Sequence, residues 1–267
     1  MIRILCVMLT SVIIMSLPAA SGGQSITDDH MIDYLKETLE YFLGQQDGLL
    51  DGWKSRYTDI PAESPNLELL AYSPPDFPVQ MADIASFLYQ ETGKPKYAEI
   101  TRNLLVSMEK YQEYFPEKFR QRAEYAQGIP VIHWFRALPV YVETFQRTRD
   151  SEVYSTADRK TIEQSVAVSA DFIFTFPEWS AMNRAMLRAE SFMAAALSFP
   201  SHPHADDWRK MAEILADDSL GKWEIEDAQI YHAVWLKAYI HYLDLTGQDR
   251  VFRSPMMQYY FRYFVSL

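Results

Sequence analysis

Residues 81–108 read MADIASFLYQETGKPKYAEITRNLLVSM, and this stretch sets the architecture. Met81, Ile84, Ala85 and Leu88 recur at i, i+3, i+4 and i+7, the spacing of one helical face. Gly93 supplies a stop, because glycine enters the left-handed conformation that ends a helix without a Cβ clash. Beyond the break Thr92-Gly93-Lys94-Pro95-Lys96-Tyr97 a second stripe begins with Ile100, Leu104, Leu105 and Met108, which predicts a helix from Tyr97 to Phe115. The unit is a helical hairpin.

The same pattern recurs outward from this stretch. Ile129 to Arg147 is apolar on most sides and reads as a buried helix, with Pro130 suited to a first turn and Pro139 expected to kink it. Ser155 or Thr156 can cap a helix through Phe174 whose stripe is Ile162, Val166, Ala170 and Ile173. Asn183 to Phe199, Asp206 to Leu215, Ala228 to Thr246 and Ser254 to Phe264 supply four more helices, and no run alternates as a strand would. Thr246-Gly247-Gln248-Asp249-Arg250 repeats the Thr-Gly connector, with similar breaks at Arg147 to Tyr154 and Phe199 to Asp206. A spacing of about 50 residues is one helix pair per period. Antiparallel pairs either close into a toroid or stack into an open solenoid. The irregular repeats favour an all-α (α/α) toroid, one helical domain over 23–267. Gly48 to Phe77, rich in Pro, Asp, Ser and Tyr, reads as a long loop, either functional or a wrap over the end of the first helix.

The N-terminus predicts export. A short basic start with Arg3, an apolar run from Ile4 to Leu17 and the small residues Ala19 to Gly22 match a signal peptide over 1–22, with an uncleaved anchor as the alternative. The protein is then secreted or periplasmic and leaves the membrane once cleaved. Cys6 is the only cysteine and lies within that segment, so a mature chain has no disulfide and relies on its core. At 48% hydrophobic and 14% aromatic residues, the composition is that of a packed domain. A formal net charge of −11 argues against nucleic acid, which needs a basic footprint, and no nucleic-acid partner is expected. It leaves room for a polyanion in a locally basic cleft.

One region carries candidate chemistry. It runs Trp179-Ser-Ala-Met-Asn183-Arg184-Ala-Met-Leu-Arg188, then Phe199-Pro-Ser-His-Pro-His-Ala-Asp-Asp-Trp208, then Trp223-Glu-Ile-Glu226-Asp227-Ala-Gln-Ile-Tyr231. This order resembles the heparinase II/III and alginate-lyase type of (α/α) toroid polysaccharide lyase. That group has an Asn opening an inner helix, a Pro- and Trp-containing start to the next helix, and an acidic pair a few residues before a Tyr. The resemblance is good from Trp179 to Thr246, fainter from Phe77 to Arg147, and weak elsewhere. Members usually continue with more helices and often a β-sandwich. Against that pattern either the ring is open or the chain is a shortened relative that has lost part of its site, and its catalysis is in question.

The resemblance implies β-elimination next to a uronic acid, on an acidic polysaccharide, without cofactor or metal. A base takes the C5 proton, an acid protonates the departing oxygen, and Asn, His or Arg neutralises the carboxylate. Asn183, Tyr231, His133 and Arg184 are the catalytic candidates, and Arg188, Trp134, Trp179, Trp223, Glu226 and Asp227 the substrate-binding ones. Each also has a structural reading. Asn183 can simply cap a helix. Arg184 and Arg188 share a helical face and form either a binding stripe or a solvated one. Tyr231 and His133 suit core packing. His232, one step from Tyr231, must face elsewhere. Glu226 and Asp227 suit a helix N-terminus. His202 and His204 are either metal ligands or exposed connector residues. A glycoside hydrolase on the same scaffold, with a carboxylate pair drawn from Asp76, Asp83, Glu226 and Asp227, and a non-catalytic glycan-binding module remain the alternatives.

Overall fold

The computed structural model describes residues 28–58, 76–108, 137–175, 183–220 and 229–266. These residues form nine α-helices, a short 3-10 turn and no strand. The helices are α1 (Asp28–Thr58), α2 (Asp76–Thr92), α3 (Pro95–Ser107), α4 (Ala137–Thr148), α5 (Thr156–Thr175), α6 (Asn183–Ser198), α7 (Ala205–Leu220), α8 (Gln229–Thr246) and α9 (Pro255–Ser266). The 3-10 turn Asp249–Arg253 joins α8 to α9. None of the described helices is long and apolar enough to cross a membrane. The chain divides into two compact units. The first holds α1 to α3 with Thr144–Arg159, and the second holds the start of α4 and the chain from Lys160 onward.

In the first unit the α2–α3 hairpin follows the sequence stripe. Met81, Ala85, Leu88, Leu104, Leu105 and Met108 are all buried. Gly93 sits at φ +64 and donates its N–H to the Tyr89 carbonyl at 2.8 Å, the left-handed stop that only glycine adopts cheaply. Lys94 is extended and Pro95 opens α3, where its missing N–H has no intrahelical partner to lose. Thr92 closes α2 by donating its hydroxyl to the Leu88 carbonyl at 2.5 Å. One boundary differs from expectation. α1 runs on to Thr58, into the stretch read as a loop, because helix-favouring Gln, Leu, Lys and Arg outweigh Gly48 and Gly52. Pro139 lies within α4, and the part of the expected helix before Ala137 lies outside the described residues. Ser155 caps α5 through a reciprocal pair: its Oγ accepts from the Asp158 N–H at 3.1 Å and its own N–H donates to Asp158 Oδ2 at 2.9 Å.

In the second unit α6 is the central helix. Every residue from Ala185 to Ala196 is buried, and its alanines allow close approach of neighbours. α7 and α8 both pack on it. On α5, Ile162, Val166, Ala170 and Ile173 are buried as the stripe predicts. On α8, Trp235 is fully buried, donates its indole N–H to Ser219 Oγ at 2.6 Å and stacks on Tyr239 with centroids 5.3 Å apart. α8 ends like α2: Thr246 donates to the Tyr242 carbonyl at 2.9 Å, and Gly247 stands at φ +66. Here the Gly247 and Gln248 amides donate to the Asp244 and Leu243 carbonyls, a double bond pattern that closes the helix more fully than the single bond at Gly93. The two Thr-Gly connectors are thus one structural device used twice.

Candidate functional site

The direction of α8 decides which residues can share a site. The connector 199–204 is folded back by bonds from the amides of Phe199 and His202 to the carbonyls of Ala195 and Phe199. So compact a turn cannot retrace the roughly 24 Å of a 16-residue helix, and α7 runs antiparallel to α6. Ser219, near the end of α7, therefore lies beside the start of α6, and it binds Trp235. Further along, Glu190 in the middle of α6 meets His241 late in α8. The two contacts run in the same order on both helices, so α6 and α8 are parallel. Their first turns lie at one end of the pair, and these carry Asn183 and Arg184 on α6 and Tyr231 on α8.

At that end Tyr231 is 51% exposed, Arg184 is exposed, and Asn183 is buried at 7%. Tyr259, on α9, is exposed as well, at 38%. Tyr239, Tyr242 and Tyr260 are buried, and burial pushes the Tyr242 and Tyr260 hydroxyls up to about 12 and Tyr239 higher still. His232 is fully buried and stacks on Trp235, centroids 5.9 Å apart, while burial holds its imidazole below the ordinary range. The one-residue step between Tyr231 and His232 thus separates solvent from core.

Arg188, expected to bind substrate with Arg184, is only 5% exposed. Its guanidinium donates to the Ile173 carbonyl in the last turn of α5 at 3.3 Å, where a cation meets the negative end of that helix. His133, Trp134, Trp179, Trp223, Glu226 and Asp227, together with the signal segment 1–22, lie outside the described residues.

A second constellation lies ten residues further along α8, about 15 Å from Tyr231 by helical rise. His241 Nδ1 meets Glu190 Oε1 at 2.5 Å, and His241 Nε2 lies 3.8 Å from Glu143 Oε2 on α4. Side-chain exposure rises from 5% at Glu190 through 18% at His241 to 40% at Glu143. Burial pulls the imidazole down, but the bond to Glu190 and the charges of Glu190 and Glu143 outweigh it and hold His241 above the ordinary histidine range. The sequence reading missed this trio. The one available signal was Glu190 seven residues after Asn183, on the same helical face.

Of the remaining candidates, Asp83 is committed to Arg147, whose guanidinium donates to Asp83 Oδ1 and to Ser86 Oγ at 3.1 Å. His204 Nδ1 meets both Asp171 oxygens at 2.9 Å, and Asp171 also accepts from Trp208 Nε1 at 2.9 Å. His202 stacks on Trp208 and accepts the His204 amide at 3.3 Å. These histidines therefore fasten the α6–α7 connector to α5. No group of three metal-ligating side chains is assembled among the described residues. Compared with protein-family models, with curated proteins and with solved structures, the chain finds no match in any of the three.

Proposed function

We propose that the protein cleaves a uronate-containing polysaccharide by β-elimination, with the shared end of α6 and α8 as its site. The observation that carries this reading is the parallel α6–α8 pair, which brings Asn183, Arg184 and Tyr231 to one end. Tyr231 is the exposed proton-transferring group, Arg184 supplies positive charge for the uronate carboxylate, and the Asn183 amide stabilises the enolate-like intermediate from the floor of the site. The C5–H bond breaks with its proton passing to Tyr231, the electron pair forms the C4–C5 double bond, the C4–O bond breaks, and Tyr231 returns the proton to the leaving oxygen. A tyrosine that accepts a proton must first lose its own, which nearby positive charge favours.

The test is a panel of uronate polymers with two readouts. The unsaturated product absorbs in the ultraviolet, whereas hydrolysis gives reducing ends without that absorbance. Absorbance growth that Tyr231→Phe abolishes while the helical spectrum stays intact supports the lyase. Reducing ends without absorbance would replace it with the hydrolase. Silence on every polymer with retained glycan binding would replace it with a binding module.

A further inference from the structure

We propose that His241 is a proton-dependent clasp that ties α8 to α6 and α4 when its imidazole is charged and loosens that junction when the proton leaves. The observation is a convergence of three helices on one ring. Glu190 comes from α6, Glu143 from α4, and His241 from α8. Among the described residues Lys237, one turn earlier on α8, also acts on the ring and opposes its positive charge. With the ring protonated, both nitrogens donate and each faces a carboxylate. The buried Glu190 charge then has a counter-charge, without which a buried carboxylate is strongly unfavourable. With the ring neutral, Nδ1–H still bonds Glu190, but Nε2 has no proton to offer and the pull on Glu143 is gone. Neither lysine nor arginine would switch in this way, because both keep their charge through the neutral range.

Glu143 gives the device its access. At 40% exposure it stands at the solvent edge of the trio, so the proton can exchange without unfolding the unit. The sign follows from the raised folded value. The clasp contributes fully below the ordinary histidine value of about 6.5 and is lost as pH rises through the folded value. The helix it releases carries Tyr231 at its other end. This inference concerns the packing of α8 and stands whether or not the proposed reaction occurs.

The test is imidazole-nitrogen magnetic resonance of the full chain, with amide hydrogen exchange of α8 and thermal melts, each followed across pH. His241 is expected to titrate above the ordinary histidine value. α8 exchange should quicken, and the melting temperature fall, through that same midpoint. Glu143→Gln, at a part-exposed position that tolerates change, should lower the His241 midpoint and move both profiles with it. His241→Gln should flatten the profiles. If His241→Gln does not fold, Glu143→Gln alone decides. A His241 midpoint at or below the ordinary value would overturn the clasp. So would α8 exchange and melting profiles that Glu143→Gln leaves in place.

Discussion

Arg147→Met tests whether the first unit depends on its buried ion pair. Asp83 is 6% exposed and its Oδ1 accepts from Arg147, whose side chain is 15% exposed and also reaches Ser86. Methionine keeps most of the arginine stem volume and removes the charge. The Asp83 carboxylate then stays buried without the Arg147 guanidinium, a loss of about 3–5 kcal/mol for breaking a buried pair from one side. At about 2–4 °C per kcal/mol for a chain of this size, the melting temperature should fall by about 6–20 °C. The double variant Asp83→Leu/Arg147→Met removes both charges and should recover most of that loss, because an apolar pair of similar volume replaces a buried ion pair at little net cost. Lys36→Ala is the control: that lysine forms an exposed pair with Asp33 at 2.7 Å, and its loss should leave the unfolding midpoint where it was. Urea denaturation at fixed pH and salt, followed by far-ultraviolet circular dichroism, measures all three. An Arg147→Met loss under about 1 kcal/mol would refute the reasoning, as would a double variant no more stable than the single one.

Three further outcomes follow from single contacts. An added Cβ at Gly93 or Gly247 meets nothing within 4 Å, so Gly93→Ala and Gly247→Ala should each cost only the left-handed conformation, about 1–2 kcal/mol in urea denaturation; a neutral result would exclude the positive φ. Ser155→Ala should cost about 1 kcal/mol. Burial raises the Asp158 carboxyl, but its bonds to Ser155 prevail and hold it below the ordinary value, so the cap contributes at neutral pH and is lost as pH falls through that lowered value; a Ser155→Ala deficit that persists unchanged in strong acid would contradict this. Asp171→Asn should bring the His204 titration, raised chiefly by its bond to Asp171, down toward the ordinary histidine value in magnetic resonance, and an unmoved midpoint would mean the bond does not form in solution.

The stripe and stop signals were legible because they are local. The i, i+3, i+4, i+7 spacing at Met81, Ile84, Ala85 and Leu88 and the stripe of α5 both became core, and both Thr-Gly connectors became helix ends. Local signals also misled where two opposed each other. The Pro-, Asp-, Ser- and Tyr-rich composition of Gly48 to Phe77 suggested a loop, yet the helix formers at its start carried α1 through to Thr58.

The candidate site was legible only in part. Asn183, Arg184 and Tyr231 were named from residue type and order. Their sharing one end of a helix pair follows from the parallel run of α8, which rests on the Ser219–Trp235 and Glu190–His241 contacts. Arg184 and Arg188 illustrate the limit. They are four residues apart and alike in sequence, but one is exposed and the other is turned onto the Ile173 carbonyl by the packing of α5.

By itself the sequence determined the helical class, the hairpin unit and the glycine stops, because backbone propensity and hydrophobic period act within a turn or two of the chain. Only the tertiary structure decided which polar groups meet. Glu143 and His241 lie 98 residues apart, and nothing in the local pattern of either helix encodes the other. Their meeting is fixed by how α4, α6 and α8 pack, and that packing also sets whether a histidine on an apolar helix is lowered by burial, as at His232, or raised by two facing carboxylates, as at His241.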